Sequence, residues 1–269
     1  MNAVAPPQRT FMGVSALLFA ASAALTIAWC ASMPAMGMPM PGGWTMSMAW
    51  MRMPGQTWFG AAGSFLGMWL VMMIAMMLPS LVPMLRHYRQ MVAGVSKARL
   101  GRLTFVVGTG YFFIWTAIGA FAFLLGVTLA AFEMQQPSLS RAVPIATGVV
   151  VVIAGALQLT AWKAHHLSCC RQIPMRGFTR PTGVEGAWRH GLRLGLHCAC
   201  CSASFTTLLL VAGVMDLRAM AVVMAGITLE RLVPAGARVA KATGFIVIAA
   251  GLALIAAAMF AIVDTPSPL

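Results

Sequence analysis

The chain has 269 residues, of which 60% are hydrophobic and only 9% charged, and its mean hydropathy is +0.86. Soluble domains carry about 25% charged residues, so a soluble globular protein is excluded, and no polar stretch is long enough to fold by itself. The net charge of +13 fits the bias that collects Lys and Arg in cytoplasmic loops of a polytopic membrane protein, and on that reading nucleic acid is not a partner.

Residues 1–10 are polar and Pro-rich, with Arg9 as their basic residue. Phe11 to Ala31 is apolar for about 20 residues, enough to span a bilayer core. Its weakly basic start and long apolar run predict a retained span rather than a cleaved signal peptide. Met33 to Met53 is different. It holds Met33, Met36, Met38, Met40, Met46, Met48, Met51 and Met53, broken by Pro34, Pro39, Pro41, Gly42 and Gly43. Such Pro and Gly spacing argues against one regular helix through its first half. Trp44, Trp50 and Trp58 suit a membrane interface.

Trp58 to Leu85 predicts a second span. Met68, Met72 and Met76 repeat every four residues on one face, with Met73 and Met77 adjoining. Pro79 and Pro83 are expected to loosen its cytoplasmic end. A basic loop runs from Arg86 to Arg102. Further spans are expected over about residues 103–131, 142–162, 194–214, 219–232 and 242–263. The sixth is the shortest; if it only dips into the membrane, the C-terminus changes sides.

With the N-terminus in the cytoplasm, all of the 18 Lys and Arg residues except Arg52, Arg141 and Arg218 fall on the cytoplasmic side. The asymmetry predicts an all-α polytopic transmembrane bundle of about seven spans, N-terminus cytoplasmic. The whole chain, residues 1–269, reads as one integral membrane domain, with an extracytoplasmic Met-rich segment at 33–57 and a basic cytoplasmic loop at 163–193. The expected home is a bacterial inner (cytoplasmic) membrane.

The chemistry concentrates between His165 and Cys201. Every cysteine except Cys30, and every histidine except His87, lies there. The stretch opens with His165-His166-Leu167-Ser168-Cys169-Cys170 and closes with His197-Cys198-Ala199-Cys200-Cys201. Cytosolic thiols stay reduced, which argues against a disulfide framework. His166 and Cys170 are four apart, as are His197 and Cys201, while Cys198 and Cys201 are three apart; each spacing places neighbours on one helical face. Thiolate with imidazole suits Cu(I) or Zn(II), and nearby Arg residues favour thiolate. Buried cysteines as small hydrophobes are the competing reading, as is a CxxC redox pair.

Thioethers are soft and uncharged, so Met36, Met38 and Met40 suit Cu(I) in an oxidising compartment, against the alternative of an apolar lid. Met72 and Met76 are candidates for a continuing pathway, although a Met stripe is more often packing. Glu230 is expected to pair with Arg231 or a loop Arg, and His87 and His190 to be solvated. There is no nucleotide-binding Gly loop, no Ser/His/Asp set and no pair of carboxylates, and acidic residues number five. Binding is therefore favoured over catalysis.

Several segments resemble the DUF2182 family, described as metal-binding integral membrane proteins and sometimes labelled copper chaperones. They are Met68 to Pro79 (MWLVMMIAMMLP), Gln158 to Lys163, Cys170-Arg171, Cys198-Ala199-Cys200-Cys201, Gly213 to Leu217 and Leu229-Glu230-Arg231. The resemblance covers roughly residues 60–260. It implies metal binding and directs the ligand choice toward Cys170, Cys198 and Cys201. His166 stands where the family usually has Cys, and Ser202 where it often has a second Cys; His remains a ligand type, whereas Ser is a poor soft ligand.

The expected function is binding and transfer of a soft metal ion, Cu(I) before Zn(II). Transfer runs between the Met-rich segment and a cytoplasmic-side cluster of His166, Cys170, His197, Cys198 and Cys201. A thiol-based membrane oxidoreductase or assembly factor, and a structural subunit of a larger membrane complex, are the alternatives. Partners are the bilayer and the metal ion, with a membrane-protein partner or a second copy compatible with the sequence.

Overall fold

The structure is a computed structural model, and it describes residues 6–32, 37–40, 44–47, 50–52, 55–92, 94–172 and 183–264. Eight helices are described: α1 (Pro6–Ser32), α2 (Trp58–Met91), α3 (Lys97–Gln135), α4 (Pro137–Leu159), α5 (Ala161–Gln172), α6 (Val184–Ala212), α7 (Leu217–Leu232) and α8 (Gly236–Asp264). Six of them, α1 to α4, α6 and α8, are long and apolar enough to cross a membrane. Large side chains such as Leu17, Phe105, Phe121, Ile246 and Phe260 face outward. Exposed apolar surface on this scale is stable only against lipid, and the protein is an integral membrane protein.

α7 has 16 residues, about 24 Å against a hydrocarbon core of about 30 Å. Of the seven expected spans, six are long and apolar enough to cross a membrane, and α7 is not among those six. Asp216 accepts from Arg218 N at 2.8 Å and Ala219 N at 3.1 Å, capping the start of α7.

The Met-rich segment holds the only strands among the described residues. Strands β1 (Gly37–Met40) and β2 (Trp44–Ser47) pair antiparallel, Met38 opposite Met46 and Met40 opposite Trp44. Trp44 donates from Nε1 to the Ser140 carbonyl at 2.9 Å, tethering the hairpin to the start of α4. Trp50 packs against Phe65 with ring centroids 5.3 Å apart.

α2 is the central helix. Its Met68, Trp69, Met72, Met73, Met76 and Met77 are all buried in one hydrophobic core. Pro79 and Pro83 lie within it without ending it. Two seams of small residues draw the other helices close. Between α4 and α8, a Cβ on Gly155 would stand 2.8 Å from Ile248 N and 2.9 Å from Gly244 O. Between α3 and α6, a Cβ on Gly195 would stand 2.8 Å from the Tyr111 carbonyl, and one on Gly191 would strike the Val107 carbonyl. This second seam brings Tyr111 onto α6.

The fourth span, expected to run to Trp162, breaks earlier. Thr160 is extended, at φ −74° and ψ 152°. Its hydroxyl accepts from Lys163 N at 3.3 Å, so it ends α4 and caps α5 in one residue. The break turns Lys163 and His166 toward α6. α6 itself begins ten residues before the expected span, so Cys198 and Cys201 lie mid-helix rather than at a helix start. His190, expected in a solvated loop, is buried in α6 and stacks on Tyr88 at 5.3 Å.

Candidate metal centre

Cys198 and Cys201 are three apart on α6 and share a buried face, 1% and 2% exposed. The Cys198 thiol donates to the Met77 thioether at 3.9 Å. The Tyr111 hydroxyl stands 2.7 Å from the same sulfur, with either atom able to donate. Three sulfurs from α2 and α6 therefore meet beside a phenol from α3. Ser202 Oγ donates to the Cys198 carbonyl at 2.7 Å and so is occupied with its own helix.

The cation at this centre is Arg231, near the end of α7 and 7% exposed. Its Nη2 donates to Cys198 Sγ at 3.0 Å, Cys201 Sγ at 2.8 Å and the Cys198 carbonyl at 3.1 Å. Nη1 donates to Ser80 Oγ at 3.1 Å. One nitrogen thus sits on both thiols.

A second charged group lies behind it. Lys163 Nζ pairs with Glu230 Oε2 at 2.8 Å, both side chains 2% exposed. Lys163 also donates to the Cys201 carbonyl, and Gln158 Nε2 donates to Glu230 Oε1 at 2.9 Å. The expected partners of Glu230 were Arg231 or a loop Arg; the break at Thr160 supplies Lys163 instead. A buried ion pair needs every polar atom engaged to offset desolvation, and Gln158 and the α6 carbonyl serve that need.

The histidines form a separate level, one turn along α6 from Cys201. His166 and His197 have ring centroids 6.0 Å apart, and His165 and His166 are 5.7 Å apart. Trp162 packs edge-on to His166 at 4.5 Å. His166 Nδ1 is buried without a hydrogen-bond partner. Burial first, then the neighbouring His197 and His165, hold the His166 pKa below the ordinary histidine value. The ring is thereby kept neutral, the form that ligates metal.

The expected residues thus divide into groups. Cys198 and Cys201 come together, and His166 approaches His197. Met72 and Met76 are buried in the α2 core. Met40 is half-buried in β1. Met36 lies outside the described residues, as do the side chains of Met38 and Cys170. Among the described residues, no group of three His, Cys, Asp or Glu side chains is close enough to hold a metal ion; the third soft donor is the Met77 thioether.

Tyr111 was not named from the sequence, and Met77, Lys163 and Arg231 appeared there only in a helical pattern, a resemblance segment or a pairing, none of them as a site residue. The available signal was weak: cations at the ends of apolar helices, which are costly and often functional. The donors nonetheless fit a soft ion, since thiolate and thioether select Cu(I) over hard cations.

Comparison with curated proteins gives no match, and comparison with solved structures gives none. A family model described as "PpoB2: Copper chaperone" matches residues 66–254. The DUF2182 label is not part of that description. The matched range includes Met77, Tyr111, Lys163, Cys198, Cys201 and Arg231, so the residues of the centre all lie inside it. By this match over more than half its length, the chain belongs to the PpoB2 copper-chaperone family.

Proposed function

We propose that this membrane protein binds copper as Cu(I) at the Cys198 and Cys201 thiolates, with Met77 as a third soft donor. It exchanges the ion with an imidazole level formed by His166 and His197. Cys170, four residues after His166 in sequence, is a further ligand of that level. On the opposite side Met36, Met38 and Met40 capture the ion, and Met72 and Met76 line the way inward along α2. Each step replaces one soft ligand by another and leaves the copper oxidation state unchanged. Zinc is the weaker candidate at the thiols, because the Met donors contribute nothing to its preference for N, S and O ligands. A bacterial inner membrane is the setting that the Lys and Arg distribution favours.

The observation that carries this reading is the convergence of two buried thiols and a thioether in a chain of a copper-chaperone family. It is tested by metal analysis of protein purified without chelators or a His-tag, alongside Cys198→Ser/Cys201→Ser. Wild type is expected to carry copper and the double variant to lose it. Equal copper in the two proteins sinks the proposal. Thiol–disulfide exchange activity in protein devoid of copper transfers the case to a membrane oxidoreductase.

A further inference from the structure

The metal centre contains a fixed positive charge that a bare ligand set would not need. Arg231 is buried, and it places a single nitrogen 3.0 Å from Cys198 Sγ and 2.8 Å from Cys201 Sγ. Arginine is permanently protonated in proteins. The other buried cation, Lys163, is matched by Glu230 at 2.8 Å, so that pair cancels and offers the centre no net charge. Acidic residues are few, at five in the chain. Glu185 is bound to Arg189 on the exposed start of α6, and Asp216 caps the far end of α7. Among the described residues, Glu230 is the carboxylate within this buried network, and it is paired with Lys163.

The charge count then discriminates between ions. Metal binding releases the two thiol protons to solvent; the resulting thiolates bring two negative charges, and Arg231 offsets one. A monovalent cation closes the count at zero. A divalent cation leaves one positive charge uncompensated in a water-poor interior, where an unpaired charge is strongly disfavoured. Softness of the sulfur donors does not make this distinction, because thiolates bind soft divalent ions as well.

We infer that Arg231 is a specificity-determining residue: it sets the thiol centre to accept one monovalent soft cation and to reject divalent ones. The inference rests on the copper-binding reading of Cys198 and Cys201 and adds the reason for its selectivity. It also gives a second role to the contacts from Ser80 Oγ and the Cys198 carbonyl. They hold the guanidinium against the sulfurs, where its charge acts at short range.

The test compares monovalent with divalent ions of similar softness. Full-length protein in detergent is titrated with Ag(I) and Cu(I), and separately with Cd(II) and Zn(II). Sulfur-to-metal charge-transfer absorbance isolates binding at thiols from binding at surface histidines. Wild type is expected to take one equivalent of Ag(I) or Cu(I) at Cys198 and Cys201 and to show no Cd(II)–thiolate band beyond that of Cys198→Ser/Cys201→Ser. Arg231→Met is expected to gain one equivalent of Cd(II) at those thiols and to bind Cu(I) about tenfold more weakly, the loss expected for one charge-assisted contact. Arg231→Lys keeps the charge and is expected to keep the rejection of Cd(II).

A stoichiometric Cd(II)–thiolate band in wild type that Cys198→Ser/Cys201→Ser lacks overturns the inference, as does the appearance of that band in Arg231→Lys. A folded Arg231→Met protein that still excludes Cd(II) overturns it too. Should Arg231→Met not fold, the wild-type and Arg231→Lys titrations decide alone. Cys198→Ser/Cys201→Ser separates the two levels of the argument. If that variant binds Cu(I) like wild type, the thiol site itself is wrong. If it loses Cu(I) while Arg231→Met keeps wild-type selectivity, only the role of Arg231 fails.

Discussion

Lys163 shows how one residue ties the centre to the bundle. It bridges Glu230 on α7 and the Cys201 carbonyl on α6, and its ammonium lies 5.4 Å from the centroid of the Phe205 ring. Removing one member of a buried ion pair leaves the other charge bare, at a cost of about 3–5 kcal/mol, whereas replacing both by apolar groups is often near neutral. Lys163→Met is therefore expected to lower thermal stability in detergent sharply. Lys163→Met/Glu230→Met is expected to recover most of it. A double variant no more stable than the single one shows that the pair is not the source of the loss. The sequence marked Glu230 as an unusual charge but did not name its ion-pair partner, Lys163. Its true partner depends on a helix break 70 residues away along the chain, and no local pattern of charges encodes that.

The elements make two further predictions. α4 and α8 are held close by glycines, and a Cβ on Gly155 meets backbone atoms of α8 rather than flexible side-chain ends. Overpacking of this kind costs about 1–3 kcal/mol. Gly155→Val is expected to reduce stability by that order in a thermal melt, while Gly63→Val, where no atom lies within 4 Å, is expected to leave it nearly unchanged. On α5, His166 has its pKa lowered by burial and by the neighbouring His197 and His165. The folded protein thus holds this proton less tightly than the unfolded chain. The stability linked to a neutral His166 is present above the ordinary histidine value and is lost as pH falls below it. An NMR titration of the ring is expected to give a midpoint below that of free histidine. His197→Ala is expected to raise it only part of the way back, because burial is the larger cause. A midpoint at or above the free value contradicts this packing of α5 on α6.

At the scale of the molecule, the Met-rich hairpin and the thiol centre belong to different parts of the fold, and their proposed roles separate in kinetics. In the proposed function the thiols set how much copper the protein holds, and the hairpin sets how fast copper arrives. Met38→Leu/Met40→Leu keeps side-chain size and removes the thioethers. It is expected to slow copper loading from the extracytoplasmic side in reconstituted vesicles, with the final copper content unchanged. Loss of equilibrium content instead places those methionines within the binding site itself.

The sequence by itself determined the membrane class and the approximate course of the long apolar helices, because twenty apolar residues in a row have one stable solution in a bilayer. It also determined that Cys198, Cys201 and their neighbours are the chemically distinctive residues, because soft donors are rare in an apolar chain. Only the tertiary structure decided which groups meet. Thr160 breaks α4 and aims Lys163 inward, Gly191 and Gly195 let Tyr111 reach Cys198, and α7 delivers Arg231 to both thiols. The contacts between helices join residues 30 or more positions apart. Helical periodicity places side chains on faces of their own helix, and the close approach of one helix to another decides what each face touches.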